Sequence, residues 1–448
     1  RRDTMENPVK IEPMAFEDEA VLHAKWPSID EVRASNPIKG VAAKSEGGDR
    51  VLEVEWASGE RQVYPCMWLR DHCRCTICFH AEHQTRLTDF MELDLNIDIK
   101  TVTVNDVDQT IAITWTDDHQ SLYYANWLLC NRFDQTEADP IRSIEPAYWD
   151  ASTLENDHMR TFKYSDVIDS DHVLYDMQMQ LKRVGLVLIQ GTPAEKGHMM
   201  KLSDRIGYIC GTSYGTTSQI YGSSDWAFGH PSYGLEYRPL HSDYSFIDDS
   251  HGVFAMHCIS QIDGEGGEYF FVDGYKAAQD LQKTNPEAFQ RLTKPCWEGR
   301  VKAWVVNDKH YHHSVSAPIK LNEAGEVTKL TLCDFWRTSV MRLPVGEVCD
   351  TYRALRALKD LLYRKDHTFC HNLQPGDMML IHNHRLLHGR KDYHDTKPST
   401  VHLETGYFKW DSFDTRMRKV KMNLDKKEKS NNSAASKVNG HQSNGIQR

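Results

Sequence analysis

Apolar and polar residues alternate with a period of two in several short segments of the N-terminal part of the chain. The clearest segments are 51–56, 100–104 and 111–115. Such alternation is typical of half-buried β-strands. The pattern predicts a small β-rich domain over residues 38–132, preceded by an N-terminal extension over 1–37.

The pattern changes further along the chain. Helical spacing of apolar residues over 166–182 leads into a short apolar strand at 184–189, and a second helix is predicted at 348–364. Further strand-like runs lie at 252–257, 269–272, 301–306, 328–332 and 378–381. Many short strands with a few helices predict a mainly β domain of sandwich or jelly-roll type over 166–422.

Two polar stretches flank this second domain. Residues 133–165 have few apolar positions and are interpreted as a linker. The Ser-, Asn- and Lys-rich segment 423–448 is predicted to be a disordered tail. The chain opens on Arg1-Arg2-Asp3-Thr4-Met5 and not on an initiator Met, which leaves a truncated or processed start, and a lost targeting peptide, as open alternatives.

Composition excludes some classes of protein. The chain of 448 residues has 53 Lys and Arg against 64 Asp and Glu, a net charge of −11, which argues against nucleic-acid binding. Its apolar runs are strand-sized and fall short of the roughly 18 residues of a membrane span. The 11 cysteines are an odd number in a chain too long to need disulfides. We therefore expect a soluble cytoplasmic protein, with a mitochondrial location as the alternative.

Three of these cysteines cluster: Cys73, Cys75 and Cys78 lie within six residues. Zinc takes four tetrahedral N or S ligands, and thiolates at this spacing can reach one ion. Such a closed site would stabilise the small domain and take no part in catalysis. A CxxC redox pair is a weaker alternative, because no βαβ pattern surrounds it. The fourth zinc ligand is expected to be His119, with His72, His80, His83 and Cys66 as competitors.

A second candidate cluster involves histidine and aspartate. His241-Ser242-Asp243 is a His-x-Asp pair, and further histidines lie far downstream at His382, His384 and His388. Two histidines and one carboxylate form the facial triad of non-haem Fe(II) oxygenases. A His-x-Asp pair alone is weak evidence, since such residues are more often simply hydrogen-bonded.

The surrounding motifs are more specific. Over residues 38–422 the chain resembles the 2-oxoglutarate-dependent oxygenases related to taurine dioxygenase, and among them the γ-butyrobetaine and trimethyllysine dioxygenase family. The N-terminal Cys cluster resembles the zinc-binding domain of that family. The other motifs that carry the resemblance are His241-Ser242-Asp243-Tyr244, Gly266-Gly267-Glu268, Val272-Asp273-Gly274-Tyr275, Pro375-Gly376-Asp377 and Leu386-Leu387-His388-Gly389-Arg390.

The resemblance implies a double-stranded β-helix in which His241, Asp243 and His388 bind iron, with His382 and His384 as lesser alternatives. It implies hydroxylation of γ-butyrobetaine to L-carnitine, a step of carnitine biosynthesis, and a small trimethylammonium substrate. The implied cofactors are Fe(II), zinc, ascorbate, and 2-oxoglutarate as cosubstrate. A homodimer is expected by analogy alone. The positions that match the aromatic cage of the family are Tyr214, Tyr233 and Tyr407.

The sequence departs from the family pattern at the cosubstrate and substrate positions. Val401 stands where the family has the Arg that pairs with 2-oxoglutarate. The candidate replacements are Arg390, Lys391, Lys397 and His402. Ser218 stands in place of a cage Trp, which Trp226 could replace, while His230 and Asp334 stand in place of substrate-contacting Asn residues. Two alternatives stay open: an oxygenase with another trimethylammonium substrate such as trimethyllysine, and a pseudo-oxygenase with a weakened 2-oxoglutarate site.

Overall fold

The structure is a computed structural model that describes residues 27–134, 139, 141–222, 236–261, 265–302, 311–394 and 401–442. The chain divides into two compact units, residues 1–140 and 141–448. Within the described part of the chain, no helix combines the length and the hydrophobicity needed to cross a bilayer.

The first unit consists of small antiparallel sheets. Its strands are β1 (Ile38–Glu46), β2 (Asp49–Trp56), β3 (Arg61–Pro65), β4 (Phe79–His80), β5 (Thr85–Arg86), β6 (Ile99–Asn105), β7 (Thr110–Trp115) and β8 (Gln120–Tyr124). Its helices are α1 (Ile29–Ser35), α2 (Cys66–Asp71) and α3 (Ala125–Cys130). Strands β1 to β3 and β6 to β8 form two meanders, and β4 pairs with β5. The alternating segments of the sequence are therefore strands, as predicted.

The core of the first unit is aromatic. Trp56, Trp115 and Trp127 are almost fully buried in one apolar cluster. Helix α1 lies within the stretch expected to be an extension, and its Val32 is buried in the same cluster. The side chain of Ser28 caps α1 by accepting a hydrogen bond from the amide of Glu31, so a structured element precedes residue 38.

The second unit has more helices. These are α4 (Ala151–Thr153), α5 (Tyr164–Asp169), α6 (Asp171–Val184), α7 (His198–Ile206), α8 (Gly274–Thr284), α9 (Pro286–Leu292), α10 (Val345–Leu362) and α11 (Trp410–Gln442). Its first strands are β9 (Thr161–Lys163), β10 (Leu186–Gln190), β11 (Ser218–Tyr221), β12 (Arg238–His241), β13 (Val253–Ser260), β14 (Tyr269–Asp273), β15 (Trp297–Lys302) and β16 (Tyr311–Ser316). The remaining strands are β17 (Ile319–Leu321), β18 (Val327–Leu330), β19 (Arg337–Met341), β20 (Phe369–His371), β21 (Met378–His382), β22 (Leu386–Arg390) and β23 (His402–Phe408).

Two sheets of the second unit enclose the site described below. A six-stranded sheet has the order β11-β23-β13-β21-β10-β9, and a four-stranded sheet has the order β12-β22-β14-β20. Consecutive strands such as β21 and β22 belong to different sheets, so the chain alternates between them. This arrangement confirms the predicted double-stranded β-helix with accessory helices.

The core of this unit lies in three layers. One apolar cluster joins α5, α6, α7 and α11 to the six-stranded sheet, and another fills the space between the sheets. A third joins α8, α9 and α10 to the four-stranded sheet. Both sheets are therefore covered on the side that faces away from the other sheet, which leaves the space between them for a pocket.

The segment predicted to be a linker differs from that expectation over residues 141–165. Trp149 and Leu154 are almost fully buried in the core of the second unit. The fully buried Arg385 anchors this segment: it donates to the carbonyl oxygen of Ala147 and pairs with Asp273 at 2.7 Å. A segment with few apolar residues is thus ordered by a small number of large buried side chains, which periodicity does not reveal.

Two further boundaries also differ. The helix predicted over 166–182 is interrupted at Ser170, whose hydroxyl caps α6 by accepting from the amide of Val173. Helix α6 ends at Gly185, which has a φ of 87° that favours glycine. At the C-terminal end, α11 continues to Gln442 through most of the predicted tail, and Leu424 is buried against the helical layer.

Candidate active site and second metal-binding cluster

The four-stranded sheet brings the two candidate histidines together. His241 ends β12 and His388 lies on β22, and the two residues are direct partners in this antiparallel pair. Their rings lie side by side, with centroids 4.3 Å apart. Direct cross-strand partners, here called a rung, project to the same face of a sheet. The register of β12 and β22 therefore brings two ring nitrogens together although the residues are distant in sequence.

Asp243 completes the cluster. One carboxylate oxygen lies 3.4 Å from Nε2 of His241, and the other lies 3.9 Å from Nε2 of His388. All three ligand atoms lie within 4.8 Å of one another. Nδ1 of His241 lies 2.8 Å from the carbonyl oxygen of Pro239, and a hydrogen bond donated there leaves Nε2 free of a proton to bind a metal. The donor set fits a cation that accepts two imidazoles and one carboxylate.

Asn383 holds the backbone of Asp243 in place. Its side-chain oxygen accepts from the amide of Asp243 at 2.9 Å, and its amide group donates to the carbonyl oxygens of Asp243 and His251. Asn383 is 1% exposed, so these bonds lie within the core. The next residue, Tyr244, adopts a φ of 53°, a conformation uncommon for a bulky side chain. The aspartate is therefore presented by a turn that its surroundings fix.

The electrostatics of the site favour a bound cation. Burial alone would raise the pKa of Asp243, but His388, His241 and a hydrogen bond from Tyr407 outweigh it, so this pKa is lowered. Burial and the neighbouring His241 lower the pKa of His388 to about 3, and Asp243 only partly opposes this. An ionised carboxylate beside a neutral imidazole is the protonation state that metal binding requires.

A pocket opens beside the cluster, between the two sheets. It is largely aromatic, which favours an apolar or cationic ligand over an anionic one along this wall. The hydroxyl of Tyr407 donates to Asp243 at 2.8 Å. The lining residues include Tyr214, Ser218, Phe246, Phe254, Phe335, Trp336 and Tyr407, so two of the three predicted cage tyrosines lie in the pocket. Tyr233, Trp226 and His230 lie outside the described residues.

The position of the family's arginine is apolar here. Val401 is 2% exposed and belongs to the apolar cluster between the sheets. Of its predicted replacements, Arg390 lines the pocket, while His402 lies 2.7 Å from the side-chain oxygen of Gln219 and stacks on Tyr221. The side chain of Lys391 is exposed, and Lys397 lies outside the described residues.

Three other candidate residues have partners elsewhere in the second unit. Asp334 forms ion pairs with Lys359 and Arg337 and is not among the residues that line this pocket. His382 packs against Trp410, and Nε2 of His384 lies 3.0 Å from the carbonyl oxygen of Ser250. Neither histidine joins the cluster of His241, Asp243 and His388.

The first unit contains a separate cluster of four donors. Nε2 of His119 lies 3.3 Å from Sγ of Cys73 and 3.5 Å from Sγ of both Cys75 and Cys78. A tetrahedral zinc ion with ordinary Zn–N and Zn–S bonds would separate N from S by about 3.6 Å. The three thiols are buried. The donor set therefore fits zinc.

Neighbouring side chains orient this cluster. Asp117 accepts from the amide of His119 at 2.9 Å and from Nε of Arg70 at 3.0 Å. The competing ligands are occupied elsewhere. Nδ1 of His72 lies 2.7 Å from the carbonyl oxygen of Trp68, His80 stacks on His83, and Cys66 is buried in the aromatic core.

Sequence reasoning did not single out four residues that shape the active-site region: Arg238, Asn383, Phe335 and Trp336. Asn383 lies between two candidate histidines, which was a usable signal. Arg238 lies three residues before His241, where simple alternation places it on the opposite face from the histidine. The register of β12 and β22 shifts between these residues, and this irregularity brings Arg238 to the pocket.

Comparison with known proteins gives two family matches. The model of the taurine catabolism dioxygenase TauD, TfdA family matches residues 143–407. The model described as gamma-butyrobetaine hydroxylase-like, N-terminal, matches residues 44–129. The two matches together span most of both structural units.

Two relatives agree with these matches in sequence. The gamma-butyrobetaine dioxygenase of Pongo abelii is 31% identical over 390 residues, which are 86% of this chain and 97% of that protein. The mitochondrial trimethyllysine dioxygenase of Homo sapiens is 28% identical over 330 residues, covering 72% and 76% respectively. The crystal structure of PvcB from Pseudomonas aeruginosa aligns with a TM-score of 0.40 at 18% identity, over 56% of this chain and 83% of that one.

Proposed function

This chain belongs to the TauD, TfdA family of dioxygenases, and from that premise we propose that it is an Fe(II)- and 2-oxoglutarate-dependent dioxygenase that hydroxylates γ-butyrobetaine to L-carnitine. Succinate and CO₂ are the coproducts. The observation that carries the proposal is the rung formed by His241 and His388, with Asp243 beside it, at the wall of an aromatic pocket.

His241, Asp243 and His388 would hold the iron, which with 2-oxoglutarate supplies oxygen activation at an unreactive C–H bond. The chain itself contributes positioning. Tyr407 and Asn383 fix the carboxylate of Asp243 and the turn that carries it. The edge of Phe335 packs against the ring of His241. The apolar walls exclude water from the carbon to be oxidised.

The pocket also suits a quaternary ammonium group. Such a group cannot donate a hydrogen bond, and each aromatic ring face contributes on the order of 0.5–2 kcal/mol through cation–π attraction. Tyr214 and Tyr407 line the pocket with Phe246 and Trp336. The aromatic wall supports a trimethylammonium carboxylate, and Trp336 offers a ring that compensates for Ser218.

In the first unit we propose a structural zinc site formed by Cys73, Cys75, Cys78 and His119. The near-equal distances from the imidazole nitrogen to the three sulfurs support tetrahedral coordination. Four protein donors leave no position for a substrate, so the ion would stabilise this unit.

The function is tested with the full chain, Fe(II), ascorbate, 2-oxoglutarate and γ-butyrobetaine. We expect succinate and carnitine in equal amounts, and Asp243→Ala serves as the inactive control. Succinate that forms with trimethyllysine but not with γ-butyrobetaine would support the alternative substrate. The absence of succinate with every trimethylammonium substrate would contradict the proposal and favour a pseudo-oxygenase.

A further inference from the structure

Two arginines line the active-site pocket on neighbouring strands. Arg238 begins β12 and Arg390 ends β22, and the two are register partners. The strands approach closely here because Gly389 lies between His388 and Arg390. A Cβ atom at Gly389 would lie only 2.6 Å from the carbonyl oxygen of Arg238. The two arginines therefore line the pocket at the next register position beyond the metal-binding rung.

The two arginines have different surroundings. Arg390 is 5% exposed, donates to the carbonyl oxygen of Glu236 at 3.1 Å and lies 4.7 Å from the ring centroid of Tyr393. For Arg238, no hydrogen-bond partner of Nε or Nη2 is found in the described part of the chain. Its ion-pair partner there is Glu236, at 3.9 Å, whose side chain is 54% exposed. In the described part of the chain, Arg238 thus keeps donor groups that a ligand in the pocket can use.

A largely buried guanidinium with unsatisfied donors favours the binding of an anion. The side chain of Arg238 is only 16% exposed, and burial together with the charge of Arg390 lowers its pKa. A carboxylate can accept two parallel hydrogen bonds from a guanidinium, which would remove both the repulsion and the unsatisfied donors. The aromatic wall that suits an ammonium group offers no such pair of hydrogen bonds to a carboxylate.

The distance from the metal cluster fits a dicarboxylate. Residues two apart on a strand project to the same face and are separated by about 7 Å along it. Arg390 therefore follows His388 at a spacing comparable to the length of a five-carbon chain, and Arg238 lies directly across from Arg390. A 2-oxo acid bound to the metal that His388 would help to hold would extend its far end towards this pair.

We propose that Arg238, supported by Arg390, binds the carboxylate of 2-oxoglutarate that lies remote from the metal. The inference rests on the proposed function and assigns the cosubstrate contact for which Val401 is unsuited. The guanidinium that binds this carboxylate thus comes from β12, on the four-stranded sheet, and not from position 401, which precedes β23.

The test is direct binding to the full chain loaded with Mn(II), a redox-inert substitute for Fe(II), by titration calorimetry. Two ligands are compared: 2-oxoglutarate, and 5-methyl-2-oxohexanoate, in which an isopropyl group replaces the distal carboxylate. The variants are Arg238→Leu and Arg238→Lys. The matched control is Arg356→Leu, an arginine on α10 whose side chain is 79% exposed.

For Arg238→Leu we expect the Kd of 2-oxoglutarate to rise about 30-fold, which corresponds to the loss of a charge-assisted hydrogen bond. The Kd of 5-methyl-2-oxohexanoate should change less than about twofold, and Arg238→Lys should recover part of the lost affinity. Arg356→Leu should behave as the wild type.

Three results would overturn the inference: unchanged affinity for 2-oxoglutarate in Arg238→Leu, an equal loss for both acids, or a selective loss of γ-butyrobetaine binding. A wild-type chain that binds no 2-oxoglutarate would instead contradict the proposed function itself. If the wild type binds 2-oxoglutarate and Arg238→Leu binds it with the same Kd, only the role of Arg238 would be contradicted.

Discussion

The two donor clusters of this chain differ in the positions that they leave open. Cys73, Cys75, Cys78 and His119 provide four buried donors, which complete the coordination of a tetrahedral ion. His241, Asp243 and His388 provide three donors at the wall of a pocket. An octahedral ion held there keeps three positions for other ligands. Donor number and access thus distinguish a site that stabilises from a site that performs chemistry.

The clusters also differ in how the chain assembles them. Three donors of the first lie within one short turn, so local backbone geometry is enough to bring them together. The second depends on the pairing of β12 with β22 and on the buried Asn383, which holds the turn of Asp243. We therefore expect substitutions at the first cluster to affect stability and those at the second to affect activity.

The sharpest difference should come from Asp243→Ala. Removal of the only carboxylate donor leaves two imidazoles, and we expect turnover to fall by at least about a thousandfold. The chain should stay folded, because Asp243 lines the pocket and belongs to none of the apolar core clusters. Succinate production, bound iron and thermal unfolding are measured together. Asp360→Ala, on an exposed ion pair, is the control, and turnover within tenfold of wild type (about 1.4 kcal/mol) would contradict the assignment.

At the first cluster, Cys75→Ser should act in the opposite way. It removes one of four zinc donors, so we expect loss of zinc and a decrease of more than about 3 kcal/mol in the free energy of unfolding of the first unit. Iron content should stay unchanged. Metal analysis and denaturant unfolding test this, with the exposed Cys349→Ser as the control. Zinc retained at the wild-type level would show that the ligand set is incorrect.

A smaller effect should link stability and metal binding in the second unit. Asn383→Ala leaves the amide of Asp243 and two buried carbonyl oxygens without partners, at a cost of about 2–4 kcal/mol. The turn that presents Asp243 would also loosen, so we expect iron affinity to fall about 10- to 100-fold. The control is Asn322→Ala in an exposed turn. Unchanged iron affinity, measured by chelator competition, would show that Asn383 has no positioning role.

This contrast explains what the sequence could predict. Cys73, Cys75 and Cys78 are recognisable because residues this close in sequence can reach one ion through local backbone geometry alone. His241 and His388 could be predicted to bind one metal only from the resemblance to a known family, since no local sequence pattern shows which strands are adjacent. Arg238 was missed because its orientation depends on a register shift between β12 and β22. Tertiary pairing, and not propensity, determines these positions.

The same reason explains why two segments are more ordered than their composition predicts. The predicted linker lacks regular periodicity, yet Trp149 fills the core and is anchored through Asp273, a residue far along the chain. The second domain was predicted to end at residue 422, but helix α11 continues beyond it and Leu424 packs against the helical layer. A few long-range contacts order both segments, and composition averages do not detect them.

The smallest predicted effect is on pH dependence, and it tests whether the histidines outside the metal cluster are structural. Burial and the nearby Lys329 lower the pKa of His384 to about 4, against an ordinary value near 6.5. Between these values the unfolded state binds the proton and the folded state does not, so stability falls as the pH decreases from 6.5. At pH 5 the loss attributable to His384 is up to about 2 kcal/mol. Because His384→Gln cannot take up this proton, its denaturation midpoint should depend less on pH than that of the wild type. The exposed His394→Gln should keep the wild-type slope, and an identical slope in both variants would assign the acid sensitivity to other groups.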